Sequence, residues 1–192
     1  NNLKRLFAYS SVAQLGYMVL GISFLSVTGL TSSLLHLFNH ALMKAALFMA
    51  LACVMYQQGG VMMSNLKGLG RRMPWTFAAI VIGGLSLVGL PLTVGFISKW
   101  FLLLAAIEAE QFILVGIILT GSLLALVYVW RIVEQGYFHS SEEDISHRQE
   151  APLSLLLPTW LLVLANIYYG IDTRLTIGVA QTTAQQLLGV SQ

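Results

Sequence analysis

The stretch LTSSLLHLFNHALMKAALFMALACVMY, residues 30–56, decides the fold class of this chain. Most of its side chains are apolar, and it exceeds the roughly 20 residues that an α-helix needs to cross a bilayer. Its one formally charged residue is Lys44. An ammonium group at the centre of a membrane helix costs about 2.5–3.5 kcal/mol on insertion scales, so we expect Lys44 to face protein or water and to have a function.

The composition is that of a polytopic membrane protein. Hydrophobic residues make up 57% of the sequence and charged residues only 9%, whereas about 25% of the residues of a soluble domain are charged. The formal net charge of +2 is too small and too scattered for a nucleic-acid partner or a polybasic lipid-binding patch. Cys53 is the single cysteine, so it predicts neither a disulfide nor a metal site, and we interpret it as a packing residue.

Hydrophobic segments along the chain predict an all-α, polytopic transmembrane helix bundle of about five spans. Each segment is long enough for one crossing, and their approximate bounds are 6–27, 30–56, 75–107, 112–138 and 152–171. The third is too long for one straight crossing of about 30 Å of hydrocarbon. Gly89, Pro91 and Gly95 interrupt it, which predicts a discontinuous helix with its hinge at residues 89–95.

The third segment could cross the membrane once as a broken helix or twice as two short helices, and loop charge favours the first arrangement. With a single crossing, most basic residues fall on one side of the membrane, as the positive-inside rule requires; they are Lys4, Arg5, Lys67, Arg71, Arg72, Arg131 and Arg148. With two crossings this asymmetry weakens. Broken helices at membrane depth need protein or water around their freed backbone groups, and in transporters they mark ion sites.

The predicted organisation has three parts. Residues 1–138 hold four spans, residues 139–151 form a cytoplasmic loop, and residues 152–192 form the last transmembrane helix with an interfacial tail. Glu142, Glu143 and Asp144 indicate that the loop is solvated. Because the chain starts without methionine and enters a hydrophobic span almost at once, we expect that an upstream portion has been removed.

Protonatable side chains lie on one face of the predicted second span. Residues four apart overlie each other on a helix, so Ser32, His36, His40 and Lys44 form one stripe. Lys99 is a second intramembrane lysine, just after the interruption. We predict a proton relay of Lys44, Lys99, His36 and His40.

Other functions for these four residues stay open. Either lysine could snorkel to the membrane interface, and the histidines could be hydrogen-bonded core residues. A metal site normally needs a third donor, and no carboxylate or cysteine lies on that face.

Further polar residues could line a water path beside the relay or act as hydrogen-bonding contacts between helices. They are Ser10, Gln14, Tyr17, Tyr128 and Glu134. Glu134, near the basic face, could be a proton entry or exit point. No catalytic residue, metal or cofactor is expected, because cysteine clusters, a phosphate-binding glycine loop and paired haem ligands are missing from the sequence.

Four motifs together resemble a known family. They are LKRLFAYSSVAQLGY at residues 3–17, the stretch 36–48, GLPL at 89–92 and GFISKW at 95–100. In this combination and order the chain is similar to the second half of the antiporter-like subunits shared by Mrp-type cation/proton antiporters, respiratory complex I and membrane-bound hydrogenases.

The resemblance implies a longer subunit with two inverted repeats, of which this chain corresponds to most of the second. It makes Lys44 the central-axis lysine and Lys99 the lysine of the second broken helix, linked through His36, His40 and water. The first repeat, with its glutamate and lysine pair, has no counterpart here. The chain alone is therefore not expected to conduct protons.

Ser98-Lys99-Trp100 and VYVWR at residues 127–131 look most like the D-type subunit of Mrp antiporters. The expected function is a proton-translocating subunit of a multisubunit Na⁺ or K⁺/proton antiporter. The alternative is a proton-pumping subunit of a complex I-like NADH:quinone oxidoreductase or membrane-bound hydrogenase, and an inert scaffold is a third. The expected partners are other membrane subunits, protons, Na⁺ or K⁺ and the lipid bilayer, in a prokaryotic inner membrane.

Overall fold

The computed structural model describes residues 2–138 and 149–190, which form eight α-helices and no strand. Their bounds are α1 Leu3–Ser23, α2 Val27–Gln58, α3 Leu69–Arg72, α4 Pro74–Val88, α5 Val94–Glu108, α6 Phe112–Phe138, α7 Leu153–Ile171 and α8 Arg174–Leu188. The acidic loop residues Glu142, Glu143 and Asp144 lie outside the described residues.

Helices α1 and α2 form a tight hairpin. The Asn2 side chain accepts hydrogen bonds from the backbone N–H of Lys4 and Arg5 and caps α1, and the Ser26 hydroxyl accepts from Gly29 N and caps α2. Near the turn, a Cβ on Gly21 would lie 2.8 Å from Gly29 O. Glycine therefore lets the two backbones touch, as small residues do between membrane helices.

Helix α2 is the central element of the bundle. It packs against α1, α4, α5, α7 and α8, and its Met43, Leu47 and Ala50 belong to a fully buried core that also takes in Phe77 of α4 and Val163 of α7. Within the described ranges, α1, α2, α6 and α7 are each long and apolar enough to cross a membrane. The predicted all-α transmembrane bundle is confirmed.

The third hydrophobic segment is broken where the sequence predicts. Helices α4 and α5 have 15 residues each, so each is about 22 Å long, and neither crosses about 30 Å of hydrocarbon alone. The break covers residues 89–93. Gly89 ends α4 with a φ of +91°, a backbone conformation that glycine adopts without strain.

Gly95 lies in the first turn of α5, so the break is shorter than the predicted hinge. A Cβ at Gly95 would lie 1.8 Å from the carbonyl oxygen of Ser86 in α4. Its N–H also faces the Ser86 hydroxyl at 3.3 Å. Glycine is therefore required here by the close crossing of the two half-helices and not by a turn of the chain.

The segment that follows α7, predicted as an interfacial tail, forms helix α8. Helix α8 packs along α2 and buries Ala180 and Ala184. Its place at the membrane interface stays a prediction, as does the division of the chain at residues 138 and 151.

Candidate functional site

The predicted polar face of α2 lies inside the bundle. Ser32, His36 and Lys44 are at most 7% exposed, while His40 is partly buried. The rings of His36 and His40 stack in nearly parallel planes with their centroids 6.3 Å apart. Three of the four residues of the stripe are therefore removed from the surface of the bundle.

Lys44 binds α1. Its Nζ donates to the carbonyl oxygen of Phe7 at 2.5 Å and to the hydroxyl of Ser10, and it also lies 5.8 Å from the centroid of the Phe7 ring. Ser10 in turn donates to the same Phe7 carbonyl. A buried ammonium needs such polar partners, and both come from the helix that precedes α2 in the chain.

His36 connects α1 to α5. Its Nε2 lies 2.9 Å from Oε1 of Gln14, and its Nδ1 lies 2.7 Å from the hydroxyl of Ser98. All three side chains are at most 2% exposed. Because an amide oxygen only accepts, Nε2 donates to Gln14, which leaves Nδ1 of the neutral imidazole to accept from the Ser98 hydroxyl.

His40 completes the stripe between Lys44 and His36. Its Nε2 is buried and has no hydrogen-bond partner among the described residues. Buried polar atoms of this kind are normally satisfied by ordered water. An ordered water bound at this nitrogen would satisfy it, and the part of His40 in a relay stays a prediction.

Lys99 binds the end of the other half of the broken helix. Its Nζ donates to the carbonyl oxygens of Leu87 and Val88 at 2.8 and 2.9 Å and to the Ser122 hydroxyl of α6 at 3.1 Å. The last carbonyls of a helix lack partners within the helix, and its C-terminal end favours a positive charge. The break thus supplies both the acceptors and the favourable field for this lysine.

Tyr17 and Gly89 both lie close to the side chain of Lys99. Tyr17 of α1 places its ring 5.3 Å below the ammonium, a distance typical of a cation–π contact. A Cβ at Gly89 would lie 2.9 Å from Cδ of Lys99. A larger residue at position 89 would therefore displace the lysine as well as strain the turn.

The candidate water-path residues divide into two groups. Ser10, Gln14 and Tyr17 contact the relay, as described above. Tyr128 contacts Ser10 and also lines an open pocket of about 510 Å³ together with Arg5, Tyr9 and Arg131, and Glu134 is not among the residues lining it. Glu134 is partly buried near the end of α6.

The fold adds several polar groups to the site, and apart from Ser122, a polar residue of the fourth span that could line a water path or join helices, sequence reasoning missed them. Ser98 and Ser122 contact His36 and Lys99, and the Asn39 side chain donates to the carbonyl oxygen of Val94 in the first turn of α5. Asn39 follows His36 by three residues, so helical spacing could have indicated it. The Leu87 and Val88 carbonyls carry no sequence signal at all.

Comparison with known proteins identifies the family. A family model described as "NADH:quinone oxidoreductase/Mrp antiporter, TM" matches residues 1–125. NADH-quinone oxidoreductase subunit N of Desulforudis audaxviator is 36% identical over 182 residues, which cover 88% of this chain and 36% of that protein.

Two solved structures share the fold. The membrane-bound sulfane sulfur reductase, an archaeal respiratory membrane complex, contains a chain that matches with a TM-score of 0.87 at 30% identity, over 98% of this chain and 38% of that one. The Mrp complex from Dietzia sp. matches with a TM-score of 0.84 at 24% identity, over 94% of this chain and 42% of that one.

The chain thus spans roughly two-fifths of the length of these relatives. The family model and the identity to subunit N agree with the resemblance carried by the sequence motifs. The chain is an integral membrane protein and belongs to the NADH:quinone oxidoreductase/Mrp antiporter transmembrane family.

Proposed function

We propose that this chain is the proton-translocating C-terminal part of a larger membrane subunit. The observation that carries the proposal is the pair of buried lysines at the two ends of one polar path. Lys44 and Ser10 form one end, and His36 bridges Gln14 and Ser98 in the middle. At the other end, the Tyr17 ring centroid lies 5.9 Å from that of His36 and 5.3 Å from Nζ of Lys99.

The chemistry of these groups suits proton transfer. Each lysine is held by neutral acceptors and no carboxylate is within ion-pairing distance of either among the described residues. Burial without a counter-ion disfavours the charged form of an amine. A proton can therefore leave the lysine when a neighbouring group or water accepts it.

The driving reaction of the whole complex is a separate question, and we propose a redox-driven complex. The 36% identity to an NADH-quinone oxidoreductase subunit N and the 30% identity to a chain of an archaeal respiratory complex support this choice. An Mrp-type Na⁺ or K⁺/proton antiporter is the second candidate. It is favoured by the Ser98-Lys99-Trp100 sequence and the run at residues 127–131. In either case the partners are other membrane subunits, in the cell membrane of a prokaryote.

Inverted membrane vesicles that contain the complete complex distinguish the two drivers. Proton uptake, followed with a pH-sensitive dye, should start on addition of NADH and should not require Na⁺ or K⁺. An antiporter would instead release protons from pre-acidified vesicles when Na⁺ or K⁺ is added. Vesicles without this subunit serve as the control, and identical proton movement with and without the subunit under both conditions would refute the proposal.

A further inference from the structure

Glu150 contacts the start of α4 from a distant part of the chain. Its Oε1 accepts from the backbone N–H of Trp75 at 2.6 Å and of Thr76 at 3.4 Å, and its Oε2 accepts from the Thr76 hydroxyl at 2.9 Å. Helix α4 begins with Pro74, and Met73 before it supplies no side-chain cap. The carboxylate of Glu150 therefore satisfies N–H groups that the first turn leaves without partners.

The backbone around Glu150 is fixed by two other elements. Gln149 N donates to the carbonyl oxygen of Arg72 in α3 at 3.0 Å, and Nε2 of Gln57 in α2 donates to the carbonyl oxygen of Glu150. Thr76 itself is fully buried. The segment that leads into α7 thus joins the end of α2, α3 and the start of α4.

A charged side chain from another part of the protein therefore contacts each end of α4. The Glu150 carboxylate meets its first N–H groups, and the Lys99 ammonium meets its last carbonyls, those of Leu87 and Val88. Both charges have the sign that the helix dipole favours. Because the break at residues 89–93 ends helical continuity with α5, contacts at both ends help to fix α4 along its axis.

We propose that Glu150 is a positioning residue for the proton path. By holding the start of α4 it sets the position of the Leu87 and Val88 carbonyls, about 22 Å away along the helix, and through them the position of Lys99. The link to proton transfer rests on the proposed function. The link to the position of α4 stands on the contacts alone.

The test compares Glu150→Ala and Glu150→Gln in the complete subunit within its assembled complex, with Glu108→Ala as the matched control. Glu108 is an exposed acidic residue at the end of α5. Hydrogen–deuterium exchange is read on peptides covering the first turn of α4 and on peptides covering residues 85–93. Proton uptake is measured on the same preparations.

Glu150→Ala should speed exchange at both ends of α4 and lower proton uptake by about five-fold or more. Glu150→Gln keeps an acceptor oxygen but loses the charge, so it should give an intermediate effect on both measurements. Should Glu150→Ala fail to assemble, the glutamine variant carries the test.

Faster exchange confined to the first turn would mean a local cap only and would overturn the proposal, as would unchanged proton uptake in both variants. Failure of the proposed function is distinguishable, because it would appear as normal uptake in a Lys99→Ala variant. Exchange at residues 85–93 reports the position of α4 whatever the complex transports.

Discussion

Proton translocation by the complete subunit should fall by about 100-fold or more when Lys99 is replaced by alanine. The ammonium of Lys99 donates to two carbonyls at the end of α4 and to Ser122, and alanine offers no group that can bind and release a proton at this place. Assembly should survive, because water can satisfy the freed carbonyls and a costly buried charge is lost. Proton uptake in inverted vesicles measures the effect.

Two further variants separate proton exchange from charge. Lys99→Arg retains a positive charge at the end of α4, but a guanidinium does not release its proton in proteins. Uptake should therefore stay low in Lys99→Arg. Lys67→Ala removes an exposed lysine and should leave uptake unchanged. Near-normal uptake in Lys99→Ala or Lys99→Arg would remove this lysine from the proton path.

Replacement of Lys44 by alanine should cause a loss of the same order, about 100-fold or more. Lys44 is the only formally charged side chain in α2, and its ammonium contacts the backbone and Ser10 of α1. Without it, that end of the path has no amine that can bind and release a proton. Uptake is measured as before, together with the amount of assembled complex.

The Ser10→Ala variant tests the same end of the path more gently. It removes one acceptor of Lys44 and leaves the Phe7 carbonyl in place, so we expect a smaller loss of uptake than in Lys44→Ala. The matched control for Lys44→Ala is Lys4→Ala, since Lys4 is exposed on α1. Equal uptake in Lys44→Ala and Lys4→Ala would show that the buried position of Lys44 has no role in transport.

Much of the fold could be predicted because its signals are local. Span lengths, the helical spacing of Ser32, His36, His40 and Lys44, and the interruption around Pro91 are all read from neighbouring residues. The distinction between a turn glycine and a packing glycine is not local. Gly89 has the positive φ of a turn, whereas Gly95 is required by the Ser86 carbonyl nine residues earlier in the chain.

The partners of the site residues depend on how helices pack. Gln14 and Ser98 meet His36 across separations of 22 and 62 residues, and the partners of Lys99 on α4 are backbone carbonyls that any sequence provides. The sequence predicts only a loop at Glu150, because nothing in its neighbours indicates that it reaches Trp75 and Thr76. Tertiary contacts decide each of these cases.

A cryo-electron microscopy map of the complete complex in lipid nanodiscs, at a resolution that shows water, tests the central claim most directly. We predict that Nζ of Lys44 and of Lys99 lie inside the bundle, and that ordered water lies within about 3 Å of Nε2 of His40 and continues toward both lysines. Either Nζ among the lipid headgroups, or a dry apolar barrier between His40 and the lysines, would contradict the account.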